Sequence, residues 1–227
     1  MKRLLSALLL ACLAQVFAAD SATVLDRYLN GLTTLRATFT QTVSDAKGEQ
    51  VGGGSGTFLV QRPGKFRWDY HSTNVASASV ASASASPADA DGSKDGQLLV
   101  ADGKNVWFYD RELSQVTVKP VTQALSATPV MLLSGSPAQL HDAFEIAADG
   151  SHDGMDWVRV TPRSSEADFT VARLGFARDQ LMRMLVNDRL GQTVQMDFSH
   201  SERNVRIAAD ELRFKAPAGV DVIGTPQ

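Results

Sequence analysis

The chain predicts a mainly β fold, an antiparallel, barrel-like sheet with a little helix left over to cover an opening. Two observations carry that expectation. About ten or eleven short segments alternate apolar with polar residues, and turn residues separate them at regular spacing, as in an antiparallel sheet or barrel. Helical spacing, by contrast, is confined to one segment at the front of the chain and two short ones in its middle.

The stretch from Gly56 to Tyr70 organises the rest. It reads as two strands around Pro63-Gly64, a dipeptide that favours a tight turn. Side chains alternate with period two, so Phe58, Val60 and Arg62 share one face of the first strand. Phe66, Trp68 and Tyr70 share a face of the second, while Lys65, Arg67 and Asp69 point the other way. An apolar face therefore ends in an arginine. Either Arg62 is a solvated strand end, or it hydrogen-bonds to groups that close over it, because a guanidinium is rarely buried without partners.

Taken in order, the chain opens with Met1-Lys2-Arg3 and an apolar run too short to span a bilayer, then Val16-Phe17-Ala18 before a cut near Ala19 or Asp20. Residues 1–18 thus read as a signal peptide, and 19–227 as a single exported domain. Removing Lys2 and Arg3 leaves 20 basic against 25 acidic residues, a formal charge of −5 rather than −3. That argues against a nucleic-acid binder, which needs a basic stripe. The one cysteine, Cys12, lies inside the signal, so no disulfide supports the mature fold. Leu9-Leu10-Ala11-Cys12 is a weak match to a lipoprotein processing site, and the small-residue cut further on is the better one.

Ser21 can cap a helix carrying Val24, Leu25, Tyr28, Leu29 and Leu32, weakened at its end by Asn30-Gly31. Ala37, Phe39, Gln41 and Val43 alternate with Arg36, Thr38, Thr40 and Thr42 as a strand. Gly48 and Gly52-Gly53-Gly54 look like a loose connection into the organising hairpin. Residues 72–96 have Ser-Ala repeats and nothing large to bury, so they read as a disordered insertion in a hairpin loop. After Asp102-Gly103, a hairpin turn signal, residues 105–110 are apolar on both faces, and 115–120 form a further strand. Thr128-Pro129 and Ser136-Pro137 each place a proline at a first helical position, predicting short helices over 129–134 and 137–141. Strands follow at 144–148, 157–162, 169–176, 181–187, 192–199 and, starting at 205 or 211, to 214. Within them Met182, Met184 and Val186 share a face, as do Val194, Met196 and Phe198.

No constellation for catalysis stands out, so neither an enzyme nor a cofactor is expected. His71, His141, His152 and His200 lie in unrelated segments, and no pair has metal-ligand spacing on a helix face. Gly135-Ser136-Pro137 lacks the second glycine of a nucleophile elbow, and no glycine-rich phosphate loop precedes a helix. His141-Asp142 reads as a solvated neighbour pair. Methionine faces suit variable apolar ligands such as acyl chains, as well as ordinary core filling.

At Gln61-Arg62-Pro63-Gly64-Lys65-Phe66-Arg67-Trp68 the sequence resembles the LolA family, periplasmic carriers of outer-membrane lipoproteins in Gram-negative bacteria. Ala37-Thr38-Phe39-Thr40-Gln41, residues 102–109, residues 128–133 and residues 214–220 agree with the family in the same order. The departure is the insertion at 72–96. The resemblance implies an incomplete, unclosed antiparallel β-barrel of about eleven strands, with a helical lid over a hydrophobic cavity. It implies that an ABC transporter of the inner membrane releases the cargo to a soluble periplasmic monomer, and that an outer-membrane receptor takes it over. The family's inward arginine falls on Arg62, which would latch the lid helices in the empty state. Leu29, Phe39, Phe58, Val60, Phe66, Trp68, Met131, Leu132, Met182, Met184 and Met196 would form cavity and lid. The receptor itself, a periplasmic enzyme using the barrel as a pocket, and a carrier of another lipid are the competing readings.

Overall fold

The computed structural model describes residues 22–72, 95–121 and 129–227. The signal segment 1–18, Ser21, Thr128 and most of the 72–96 insertion lie outside the described residues. Twelve strands form one sheet: β1 (Thr34–Ser44), β2 (Gln50–Gln61), β3 (Lys65–Ser72), β4 (Gln97–Ala101), β5 (Asn105–Asp110), β6 (Gln115–Pro120), β7 (Phe144–His152), β8 (Met155–Pro162), β9 (Phe169–Ala177), β10 (Gln180–Asp188), β11 (Thr193–Arg203) and β12 (Asp221–Ile223). Their order is β12-β6-β5-β4-β3-β2-β1-β11-β10-β9-β8-β7. Because β7 and β12 stand at opposite edges, the sheet is not closed. Every pairing is antiparallel except that of β12 with β6.

The sheet is built from sequence neighbours, with one long-range join. β1 pairs with β11 from Leu35 opposite Arg203 to Ser44 opposite Thr193, and this welds the two halves of the chain. Phe39 there faces Phe198, and Gln41 faces Met196. The glycine run expected to be a loose connection is instead part of β2, with Gly54 opposite Gln41 and Gly53 opposite Thr42. Missing side chains make that stretch thin. A Cβ on Gly56 would strike the Asp69 carbonyl and the Phe39 ring, so only glycine lets that ring lie across the strand.

Among the described residues the helices are short: α1 (Val24–Leu29), α2 (Met131–Ser134) and α3 (Pro137–Ala143). Thr23 caps α1 in a capping box with Asp26, and Ser136 caps α3 in another with Gln139, with Pro137 in the first turn. One face of the sheet and the three helices share the main core, in which Leu25, Leu29, Phe39, Phe58, Val60, Phe66, Leu132, Leu133, Leu140 and Phe144 are all buried.

The expected strand ending at 214 does not form. Residues 204–220 run instead as an irregular strap over the opposite face of the sheet, before β12 begins. Glu211 binds Arg36 of β1 at 2.8 Å, Leu212 is buried, and the Phe214 ring packs on Trp107 and Tyr109 of β5. That cover explains why residues 105–110 are apolar on both faces. Under this face Asp69 is buried between Arg111 at 2.7 Å and Arg67 at 3.0 Å.

Candidate functional site

Arg62 sits at the last step of the apolar face of β2, where the chain turns into β3. Its Nη1 donates to the Leu29 carbonyl at 2.7 Å, and Nε and Nη2 donate to the Gly135 carbonyl at 3.2 and 2.7 Å. Leu29 ends α1, and Gly135 lies between α2 and α3. One side chain therefore bonds to the end of α1, where the Leu29 carbonyl also accepts from the Leu32 N–H at 3.2 Å, and to the link between α2 and α3. Backbone contacts reinforce the join: Arg62 N–H donates to Thr33 O at 2.8 Å, and Gly64 N–H to Ser134 O at 2.9 Å. Burial lowers the Arg62 pKa from its ordinary value, the expected cost of keeping a guanidinium inside.

A second tie crosses the lid. His141 of α3 meets Asp26 of α1, Nε2 to Oδ1, at 3.0 Å; its partner is not the neighbouring Asp142. Asp26 Oδ2 also accepts from the Thr23 N–H and hydroxyl at 2.8 and 2.7 Å. Burial alone would raise the Asp26 pKa; the bonds from Thr23, and then His141, outweigh it and leave the carboxyl below its ordinary value.

A cavity of about 340 Å³ opens beyond Trp68, away from the Arg62 turn. Trp68, Leu99, Phe108, Val186, Val194 and Met196 form its apolar walls, Pro129 and Val130 lie over it, and Gln41, Tyr70 and Gln97 complete the lining. Phe39 and Phe58 pack against Trp68 with centroids 4.7 and 5.4 Å apart, which fixes one wall.

Of the residues assigned from the sequence, Trp68 and Met196 line this cavity. Leu29, Phe39, Phe58, Val60, Phe66, Leu132 and Met184 are instead packed into the core beneath the lid, and Met131 is partly buried against it. Met182 does not face inward. A bulge between Leu181 and Arg183 places both Leu181 and Met184 inside, and leaves Met182 40% exposed. An extra residue breaks the period of two, which no alternation rule anticipates. Tyr70, Val186 and Val194 were legible as same-face neighbours of Trp68, Met184 and Met196. Leu99, Phe108 and Gln97 enter through pairing across strands, which a linear pattern does not show.

An unclosed, mainly antiparallel sheet with an apolar cavity, and short helices over its interior joined through Arg62, defines a lidded β-sheet protein. A family model described as "Outer membrane lipoprotein carrier protein LolA" matches residues 30–76 and 91–215, leaving out 77–90 within the insertion. Outer-membrane lipoprotein carrier proteins of Methylobacillus flagellatus and Dechloromonas aromatica are 34% and 35% identical; the alignments cover 91% and 98% of this chain and 90% and 97% of theirs. The chain belongs to the LolA family. A solved LolA superfamily protein from Nitrosomonas europaea aligns over 85% of this chain and 96% of its own, at 11% identity and a TM-score of 0.44, too distant to weigh beside these relatives.

Proposed function

We propose that this chain is a periplasmic carrier that encloses the acyl chains of outer-membrane lipoproteins, taking them from an inner-membrane ABC transporter and passing them to an outer-membrane receptor. The observation that carries the reading is Arg62, whose bonds to Leu29 and Gly135 join three helices over an interior otherwise filled by apolar side chains. Releasing those bonds lets the helices lift and gives acyl chains access to Leu29, Phe58, Val60, Phe66 and Leu132. Each acyl CH₂ removed from water is worth about 0.8 kcal/mol, so a lipid anchor needs such a covered space to cross an aqueous compartment. No ATP is needed for delivery when the receptor binds the anchor more tightly than the carrier does. The carrier acts as a monomer, with residues 1–18 removed on export.

The test is reconstitution with purified protein, following uptake of a lipoprotein from inner-membrane vesicles and its delivery to outer-membrane vesicles. Phe66→Ala and Met131→Ala are expected to weaken uptake more than Arg67→Ala, whose side chain bonds Asp69 on the opposite face. Equal losses at all three positions would sink the assignment of the acyl site to the lid side of the sheet.

A further inference from the structure

We infer that Gln41, Tyr70 and Gln97 form a belt of neutral hydrogen-bond donors at the outer end of the cavity that recognises the ester carbonyls of the bound lipid, so that the ligand class is an acyl ester rather than bare hydrocarbon. The inference rests on the carrier reading and adds to it a chemical group that the protein selects.

Strand register carries the argument. Phe58, Trp68, Leu99 and Phe108 stand opposite one another on β2, β3, β4 and β5, forming an apolar row across the wall. Two residues further from the Arg62 turn, the next row on the same face reads Gly56, Tyr70, Gln97. On β1 the residue opposite Gly56 is Phe39, and Gln41 stands one step further out, opposite Gly54. A Cβ on Gly54 would come within 2.6 and 2.7 Å of the Tyr70 ring, so that ring lies over β2, towards the strand that carries Gln41. The polar side chains thus begin with Tyr70 and Gln97 on β3 and β4 and continue one step further out with Gln41 on β1.

The three side chains are available. None of them makes a hydrogen bond to the described residues, whereas Asp110, next along the row, already accepts from the Leu113 N–H at 3.0 Å. Glutamine offers two N–H donors and tyrosine one O–H, and an ester carbonyl can only accept. The Tyr70 hydroxyl is protonated at neutral pH in any case, and burial raises its pKa further. No charge has to be desolvated, so the belt suits an uncharged junction between chains and headgroup.

The experiment compares a fluorescent diacylglycerol with the dialkyl ether of the same chain lengths, which has the hydrocarbon but no carbonyls, by titration against the purified mature protein. The ester is expected to bind roughly tenfold more tightly. Gln41→Leu, Tyr70→Phe and Gln97→Leu should each remove roughly threefold to tenfold of the ester affinity, bringing the two probes together. Gln97 is exposed, so its variant reports on the belt even if one of the others disturbs the fold. Equal affinities for ester and ether in the unaltered protein would overturn the belt, as would a preference that survives all three substitutions. Failure of both probes to bind would overturn the carrier reading itself.

Discussion

At the residue scale, Arg62 concentrates the logic of the lid. A guanidinium is charged at any physiological pH and offers a rigid fork of donors, which suits carbonyls from two elements at once. Hydrogen bonds to a charged donor contribute roughly 1.5–3 kcal/mol each, enough to bias a lid without locking it. Arg62→Leu keeps bulk but removes every donor, so the closed state loses its ties to Leu29 and Gly135 while an open, loaded state loses little. The expected outcome is retained or tighter uptake of a lipoprotein from inner-membrane vesicles, with delivery to outer-membrane vesicles reduced at least tenfold. Joint loss of uptake and delivery would show that Arg62 supports the fold or the ligand directly and is no latch.

At the scale of elements, the helices owe little to intrinsic propensity. Six residues in α1 are too few for a stable isolated helix, so its cap and its packing against the sheet hold it in place. Asp26 serves both the α1 cap and the tie to His141. Since its pKa is lowered in the folded protein, its contribution is present above the ordinary carboxyl value of 3.8 and fades as pH falls through the lower folded value. Asp26→Asn is therefore expected to lower the melting temperature at pH 7, by the equivalent of about 1 kcal/mol for a lost cap interaction, and to change it less at a pH below the lowered folded value. An equal drop at both pH values would mean that the carboxylate charge is not what the lid uses.

For the whole molecule, an open sheet must protect two faces, and the chain uses different parts of itself for each. The helices cover one face; the strap at 204–220 covers the other, where Leu59, Leu98, Val100 and Leu212 are buried away from the main core. Burial of Leu212 should matter far more than the strap's surface ion pair. Leu212→Ala is expected to cost about 2–5 kcal/mol in urea denaturation. Arg36→Ala, which breaks the half-exposed pair with Glu211, should cost less than about 1 kcal/mol. A reversed order would show the strap to be held electrostatically rather than by packing.

The sequence by itself determined the elements and their faces, because alternation and helical spacing are local properties. Phe58, Val60, Phe66 and Trp68 were legible as one surface, α3 as a proline-started helix, and Arg62 as a charge in need of partners, whereas α2 starts at Met131, two residues after the proline expected to open it. The family resemblance named the kind of partner, and the tertiary structure supplied the particular ones, the Leu29 and Gly135 carbonyls, which lie far from Arg62 in the chain. It alone decided that Met182 leaves the inner face, since a bulge shifts the register without any mark in composition. It also turned the glycine run into strand and the expected last strand into a strap, because pairing partners and cover come from distant residues. The cavity and its polar belt follow from the same cause: Tyr70 and Gln97 become neighbours only when β3 and β4 pair, and Gln41 joins them only across β2.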